Sequence, residues 1–277
     1  AMIAGFAAHG LGIEALELFK MMQESGFVPN AVTFLCALRA CSCIEALEEG
    51  MFLHDQINRL GLQSDEVVGS ALIDMYAKCS LLLDAKSVFD KLLVRDIVSW
   101  SSITTGYVDS GQSEEALKCL QHMEEDGAQT NVSMYVCILK LYGIIGDLQK
   151  GQLLHSDIIG RGDEINQQVA TALIGMYANC GSLVEARKIF NKVTEPDLVM
   201  WNTLIRGYAE QGLIDEALKY FRKMKDEEVC PNTITYICIL KACGIVGSLE
   251  IGEDIDAEVR NQGLLQKDVI LGTAFVD

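Results

Sequence analysis

The sequence repeats itself at an interval of 101 residues. The segment SALIDMYAKC, which begins at Ser70, returns as TALIGMYANC beginning at Thr171. Trp100 returns as Trp201, and the triplet Glu-Ala-Leu that begins at Glu14 returns twice more in the same register. Because repeated segments form structural units that stack on their copies, the chain is predicted to be a repeat array and not a domain with one central core.

Each interval contains three shorter units of about 35, 35 and 31 residues, which we name standard, long and short. The predicted boundaries are 1–30, 97–131 and 198–232 for the standard units, 31–65, 132–166 and 233–268 for the long units, and 66–96, 167–197 and 269–277 for the short units. The first and the last unit are shorter than their copies. We therefore expect a single solenoid that is part of a longer array.

Each unit has the apolar pattern of two helices. In the unit 198–232, Trp201, Leu204 and Tyr208 recur at helical spacing before Gly212. A second apolar stripe follows, and Pro231 ends the unit because proline cannot continue a helix. A helix pair of this size must stack on its neighbours to bury its apolar faces. The predicted fold is all-α, a right-handed superhelical α-solenoid of helix-turn-helix repeats.

Composition argues against several kinds of site. Among the ten cysteines, Cys36, Cys137 and Cys238 share one repeat register, and Cys79 and Cys180 share another. This recurrence favours packing of reduced thiols over disulfides or metal ligands. No apolar run approaches the roughly 18 to 20 residues of a membrane helix, so no membrane partner is expected.

The charge distribution argues against binding nucleic acid by charge alone, since the net charge is −17. The first helices of the long units nevertheless carry a basic residue in one shared register, at Arg39, Lys140 and Lys241. These residues form a thin basic stripe. Any polyanion partner is therefore expected to bind with modest affinity.

The first helix of the standard unit distinguishes this array from tetratricopeptide repeats, whose helix pairs have a similar length. The Trp-x2-Leu-Gly-x2-Tyr pattern of that family is absent, and the units open as IVSWSSI at Ile97 and LVMWNTLI at Leu198. These openings, with the Pro-Asn ending at Pro231 and Asn232, closely resemble the pentatricopeptide repeat family. The alternation of standard, long and short units resembles its plant PLS subclass over essentially the whole chain.

The resemblance implies sequence-specific binding of single-stranded RNA, one base per repeat, in an organellar C-to-U editing factor of a mitochondrion or chloroplast. In the family, the fifth and the last residue of a unit face the base edge. The matching positions here are the pairs Ser70 and Asp96, Ser101 and Asn131, Thr171 and Asp197, and Asn202 and Asn232, with Asn30 and Thr273 from the shortened end units.

The resemblance also implies a base preference and a clamp. A fifth-position Ser or Thr favours purines and Asn favours pyrimidines, while a final Asp favours G or U and a final Asn favours A or C. The RNA core predicted from these rules is GANGY, read 5′ to 3′ along the chain. Apolar second-position residues, here Val67, Val98 and Val199, would clamp bases from either side. Ser133 and Gln168 depart from that pattern, and Asp109 and Glu210 stand where relatives often carry a phosphate-contacting Lys.

Simpler interpretations stay open at this point. Ser, Thr, Asn and Asp also cap helices, and the second-position valines also fit packing between units. The fifth residues of the long units are Leu35, Val136 and Ile237, which cannot form hydrogen bonds to a base. The long units could therefore space bases or bind a protein partner in an editing complex, and the whole array could be a helical scaffold for protein–protein interaction.

No catalytic residue is expected in the chain. A zinc deaminase needs His-x-Glu and Pro-Cys-x-x-Cys segments. His122 and Glu124 match the first segment by spacing alone, and the sequence contains no Cys-x-x-Cys. A phosphate-binding Gly-rich loop is absent too. The chain is predicted to lack enzymatic activity, metal, cofactor and small-molecule substrate, and a deaminase domain would lie outside it.

Overall fold

The computed structural model describes residues 2–161 and 165–261, which form sixteen helices and no strand. The helices are α1 (Met2–Ala8), α2 (Gly12–Glu24), α3 (Ala31–Ile44), α4 (Leu47–Arg59), α5 (Glu66–Lys78), α6 (Leu82–Lys91), α7 (Ile97–Asp109), α8 (Ser113–Glu125), α9 (Val132–Ile145), α10 (Leu148–Gly160), α11 (Gln167–Asn179), α12 (Leu183–Phe190), α13 (Leu198–Glu210), α14 (Ile214–Asp226), α15 (Thr233–Val246) and α16 (Leu249–Asn261).

The helices form hairpins, each made of an odd-numbered first helix and an even-numbered second helix. A tight turn joins the two helices and commonly contains a glycine in the left-handed region, such as Gly181 with φ 76° and Gly212 with φ 70°. A side chain is strained at such a φ, so glycine sets where the first helix ends.

Contacts divide the chain into two compact units, Ala1–Cys137 and Ile138–Asp277. In the first, the first helices α1, α3, α5 and α7 pack on one another in order. In the second, α11, α13 and α15 do the same. Second helices such as α2 and α14 pack on the first helix of their own hairpin and on that of the next. The all-α solenoid predicted from the repeat pattern is confirmed.

First helices approach one another closely through small residues. A Cβ added to Gly106 would lie 2.8 Å from the Cβ of Ala77, and one added to Gly207 would lie 2.6 Å from the Cβ of Ala178. Second helices are instead linked by long side chains, as where Gln23 Nε2 donates to Gln56 Oε1 over 2.8 Å. The first helices therefore form the more tightly packed layer.

The two tryptophans occupy equivalent core positions. The ring of Trp100 lies 4.7 Å from that of Phe89 at 69°, and the ring of Trp201 lies 4.6 Å from that of Phe190 at 70°. Both indoles are almost fully buried. The edge-to-face geometry is favourable for aromatic pairs, so each tryptophan anchors the second helix of a short unit to the first helix of the next standard unit.

The cysteines that share a register are packing residues. Cys36, Cys137 and Cys238 are buried, and all ten cysteines are free thiols. Burial raises the pKa of Cys41 to about 12, which keeps that thiol protonated. Cys180 is half-buried and its Sγ donates to the Tyr142 carbonyl over 3.7 Å. Five cysteines in two repeated registers were predicted to pack in this way, and they agree, since Cys36, Cys137 and Cys238 are buried and Cys79 and Cys180 are half-buried.

Candidate nucleic-acid interface

Most first helices are buried along their middle except for one narrow line of residues. In α5, Val67 and Lys78 are exposed and Asp74 is half-buried, whereas residues 68–73 between them are buried. These side chains occupy positions two, nine and thirteen of the unit, and position five, at Ser70, lies on the same helical line. We call the residues at positions two, five, nine and thirteen the first-helix stripe.

The second-position apolar residues lie at the surface of the stripe. Val67, Val98 and Val199 are 53%, 51% and 59% exposed, and Val32 and Ile234 are exposed to a similar degree. Packing between units does not account for side chains with half their surface in solvent. An exposed valine repeated at one position of an otherwise buried helix instead forms an apolar ledge that can contact a ligand.

Residues at the last position of a unit cap the first helix of the following unit. The side chains of Asp96, Asp197 and Asn232 accept from the backbone N–H groups of Ser99 (2.8 Å), Met200 (2.8 Å) and Thr235 (3.1 Å). The same bond is made by Asn30, Asp65, Asn131 and Asn166, of which Asp65 and Asn166 end long units. The capping role considered from the sequence is therefore present at these junctions whatever the type of unit.

Fifth-position residues do not cap helices. Ser70 Oγ donates to the Glu66 carbonyl over 2.9 Å, and Thr171 Oγ1 donates to the Gln167 carbonyl over 2.8 Å. Such bonds to the carbonyl one turn back are common for hydroxyl side chains inside helices. Because capping does not select these residues, helix initiation leaves the polar character of this column unexplained.

Two of the four predicted residue pairs are joined by hydrogen bonds. Ser70 Oγ lies 3.3 Å from Asp96 Oδ1, and Ser70 is only 5% exposed. Asn202 Nδ2 donates to Asn232 Oδ1 over 3.1 Å, and Asn202 is 8% exposed. Thr235 Oγ1 completes the second pair, since it lies 2.6 Å from Asn202 Oδ1. These two pairs sit at the edge of the buried layer.

The other two pairs are more open. Ser101, Asn131 and Thr171 are half-buried and Asp197 is exposed. Over the described part of the chain, no hydrogen bond joins Ser101 to Asn131 or Thr171 to Asp197.

Two residues from the shortened end units complete the predicted set. Asn30 is exposed and forms a capping box, in which the Asn30 backbone N–H donates to Thr33 Oγ1 over 2.8 Å. Thr273 lies outside the described residues.

Sequence reasoning missed Thr33 and Thr235, which share a role. The hydroxyl of each threonine accepts from the backbone N–H of the preceding cap residue. The threonine's own backbone N–H donates to the side chain of that cap residue. The Asn-x-x-Thr spacing at Asn30 and Asn232 is the signal that could have found them. In the second case the threonine also fixes the orientation of the Asn202 amide, which belongs to a predicted pair.

The long units present a different stripe. Their fifth residues Leu35, Val136 and Ile237 are half-buried and apolar. At the second position, Ser133 of one long unit and Gln168 of the following short unit are exposed and polar, whereas the other two long units keep an apolar residue there. No hydrogen bond to a base edge is possible from the three apolar side chains.

Acidic charge is concentrated on the second helices. Glu114, Glu124 and Glu125 are exposed on α8, and acids here pair with lysines of the same helix, as Glu115 does with Lys118 at 2.7 Å. Within the described residues, no cluster of three or more His, Cys, Asp or Glu side chains could hold a metal ion. None of the described helices is long and apolar enough to span a membrane.

His54 and His155 coincide in register and make equivalent contacts. His54 Nδ1 lies 2.8 Å from Tyr76 Oη, and His155 Nδ1 lies 2.9 Å from Tyr177 Oη. Burial lowers the pKa of both imidazoles, and Lys91 and Lys192 lower it further. The histidines therefore tie a long unit to the following short unit.

Comparison with known proteins places this architecture in a family. The model of the PPR repeat family matches residues 196–244, and the model of the PPR repeat matches residues 1–27, 70–97, 98–127 and 169–195. A crystal structure of the pentatricopeptide repeat protein PPR10 in complex with an 18-nt psaJ RNA element superposes with a TM-score of 0.75, covering 95% of this chain and 40% of that one. At 20% identity, that likeness establishes the fold.

Curated relatives carry the same name. A mitochondrial pentatricopeptide repeat-containing protein of Arabidopsis thaliana is 32% identical over 92% of this chain, and a chloroplastic one is 32% identical over 100% of it. The chain spans 37% and 34% of the lengths of these two relatives. Their names agree with the expected location in a mitochondrion or a chloroplast. From the two family models, the helical-hairpin fold and these relatives, the chain belongs to the pentatricopeptide repeat family.

Proposed function

We propose that this chain binds single-stranded RNA in a sequence-specific manner through the first-helix stripe, with one base read by each standard or short unit. The observation that carries the proposal is the exposed valine at position two beside the polar residues at the fifth and last positions of the units 66–96, 97–131 and 198–232. An apolar surface stacks against base faces, and polar groups beside it select base edges. The RNA named in the crystal structure of the similar protein PPR10 supports this choice of ligand.

Capping and base reading are compatible because they use different atoms. At Asp96 the capping bond uses Oδ1. The other terminal atom of the side chain is the one that differs between Asp and Asn. That atom is an acceptor oxygen in Asp and a donor NH2 group in Asn. G and U present a ring N–H on the Watson–Crick edge, whereas A and C present a ring nitrogen that accepts. A final Asp therefore suits G or U, and a final Asn suits A or C.

The fifth residue adjusts the space beside that atom. Ser70, Ser101 and Thr171 are short hydroxyl side chains, which leave room for a purine, whereas the longer Asn202 amide favours a pyrimidine. Together the four pairs specify GANGY, in which N faces the long unit 132–166. The unit boundaries, the PLS arrangement, and a role as the recognition part of a C-to-U editing factor in an organelle belong to the same proposal.

Fluorescence anisotropy with two RNAs tests the proposal. One RNA contains GANGY, and the other has its purines and pyrimidines exchanged. The chain is expected to bind the first RNA more tightly at equal salt. Equal affinity for both would refute base reading.

An exchange of one residue pair tests the reading rule itself. The double change Thr171→Asn and Asp197→Ser is expected to move the preference at one base from G toward C. Ser is as good an N-cap as Asp, so the stability of α13 should change little. Asp65→Ser is the matched control, because Asp65 makes the same cap at the end of a long unit and is not expected to change any preference.

The long units favour a second candidate function, binding of a protein. Their fifth residues are half-buried and apolar, and thus provide a surface suited to an apolar partner side chain. A helical scaffold without RNA affinity would bind neither RNA in the anisotropy measurement.

A further inference from the structure

Position nine of the first-helix stripe differs by unit type. The long units carry a cation there, at Arg39, Lys140 and Lys241. The short units carry Asp74 and Gly175, while the standard units carry Thr105 and Arg206. A cation is thus the rule in the units that have no polar residue at position five.

Arg39 and Lys241 are exposed and have no counterion in the described part of the chain. Neither forms an ion pair with any described residue. Several other cations are paired locally, as Lys78 is with Asp74 at 3.0 Å on the stripe of a short unit. The charges of Arg39 and Lys241 are therefore available to a ligand.

The side chains that flank these cations are apolar. Lys241 lies between the half-buried Ile237 and the exposed Ile245, and Arg39 follows the half-buried Leu35 by one helical turn. Such surroundings offer no hydrogen bond that could distinguish one base from another. What they offer is a positive charge above an apolar surface.

A second cation reinforces this site in the unit Ile138–Asp277. Burial raises the pKa of the Cys238 thiol, Arg206 and Lys241 act in the opposite direction, and Glu210 adds to the rise. Arg206 and Lys241, from the successive first helices α13 and α15, therefore both lie within electrostatic range of the Cys238 thiol.

The acidic second helices do not remove this potential. Packed helix axes lie about 8–10 Å apart, so acids on the outer side of the second helices lie on average about that far or farther from the stripe. This separation is comparable to the Debye length of roughly 10 Å at 0.1 M salt. A cation on the stripe interacts with a phosphate in direct contact much more strongly than with those acids.

We propose that Arg39 and Lys241 contact the phosphodiester backbone of the bound RNA, so that long units hold the strand without reading it. The inference rests on the proposed RNA-binding function and deepens it. Standard and short units supply base selection, and long units supply affinity that does not depend on sequence. Phosphate contacts position a nucleic acid strand, whereas contacts to base edges specify its sequence.

The salt dependence of binding by the 277-residue chain tests this division. Each phosphate contact to a single strand contributes about 0.7 to the slope of log affinity against log salt. The double variant Arg39→Gln/Lys241→Gln is expected to reduce the slope by about 1.4 and to weaken binding by the same factor for the GANGY RNA and for its exchanged partner. The ratio of the two affinities should stay unchanged.

The matched control is Lys118→Gln/Lys219→Gln. It removes the same charge, one lysine from each compact unit, from second helices where Glu115 and Glu216 pair with these lysines. Its slope should equal that of the unaltered chain.

Two outcomes would overturn the inference. An unchanged slope in the double variant alongside intact GANGY preference refutes the backbone contact and leaves the proposed function standing. The slope would also stay unchanged if these cations bound an acidic protein partner and not RNA. A loss confined to GANGY would assign them to base reading. An unaltered chain without any preference between the two RNAs would instead count against the proposed function itself.

Discussion

The pairs Ser70–Asp96 and Thr171–Asp197 are 101 residues apart, carry nearly the same chemistry and differ in structure. Ser70 is 5% exposed and its hydroxyl reaches Asp96 Oδ1 at 3.3 Å. Thr171 is half-buried, and no hydrogen bond among the described residues joins it to Asp197, whose side chain is exposed. Both aspartates nevertheless cap the next helix over 2.8 Å. The repeated sequence thus determines the helix start and its cap. Packing determines whether a hydrogen bond joins the fifth and the last residue of the unit.

This difference has a consequence for ligand binding. A base that hydrogen-bonds to the Ser70 hydroxyl must replace its bond to Asp96 Oδ1, whereas no described bond links Thr171 to Asp197, whose side chain is exposed. A hydrogen bond that is exchanged rather than newly made contributes less net free energy. We therefore expect stronger selection of the base at the Thr171–Asp197 position. The predictions below test how far the two copies are equivalent.

The largest expected effect concerns the scaffold that the two copies share. Trp100→Ala and Trp201→Ala each remove a buried indole from an edge-to-face pair, and each should lower the free energy of unfolding by about 3–5 kcal/mol. Trp201 also contacts Tyr220 at 6.4 Å, so its loss should be the greater. Urea unfolding followed by circular dichroism measures both values.

Equal and small losses, below about 1 kcal/mol, would contradict this view of the core, since surface substitutions have effects of that size. Trp100→Phe and Trp201→Phe serve as controls. They keep an aromatic ring against Phe89 and Phe190 and should recover part of the loss.

A smaller effect is expected at the capping aspartates. Asp96→Asn and Asp197→Asn replace one carboxylate oxygen with an NH2 group of the same size, so each should move the preferred base from G toward A. Changes of about 1–3 kcal/mol in discrimination are typical when a base-edge contact is reversed. The change should be larger for Asp197→Asn, and competition anisotropy with RNAs that differ at one base measures it.

Stability provides the control for these variants. Asn caps helices as well as Asp does, so the unfolding free energy should change little. Asp65→Asn alters an equivalent cap at the end of a long unit and should leave base preference unchanged. A shift of equal size at Asp65 would show that cap chemistry, and not base contact, drives the effect.

The sequence predicted the features that depend on local pattern. Apolar spacing around Trp201 and glycine at 212 gave the helix pair, and register-sharing cysteines such as Cys36 and Cys238 were correctly assigned to the core. Asp and Asn at unit ends were recognised as possible caps, and they cap. These features follow from periodicity and from hydrogen bonds that span three or four residues.

Features that depend on distances between successive helices could not be predicted from the sequence. The bond from Ser70 to Asp96 joins side chains 26 residues apart, and that from Thr235 to Asn202 joins side chains 33 residues apart. Whether such bonds form depends on helix spacing within a few tenths of an ångström and on rotamers selected by packing. The contact between His54 and Tyr76, 22 residues apart, depends on helix spacing in the same way.

The smallest expected effect concerns the two His–Tyr pairs and the pH dependence of stability. Burial holds the pKa of His54 and His155 below the ordinary value of 6.5, despite nearby Asp84 and Asp55 for the first and Glu185 for the second. Because the unfolded chain then binds protons more readily, this contribution to stability is complete above about pH 6.5 and is lost as the pH falls through the folded pKa.

Replacing both histidines separates their contribution from that of the many carboxylates. Between about pH 7.5 and pH 5.5, the urea midpoint of the unaltered chain should fall more than that of the His54→Gln/His155→Gln variant. Gln can still accept from the tyrosine hydroxyls, so the variant removes the titration and not the contact. Tyr76→Phe/Tyr177→Phe should keep the extra pH dependence, since burial is the leading cause of the lowered pKa at both histidines.

If the tyrosine variant instead matched the glutamine variant, the hydrogen bond would be the source of the effect. A difference between His54→Gln and His155→Gln taken singly would show that the two copies diverge at this junction as they do at Ser70 and Thr171.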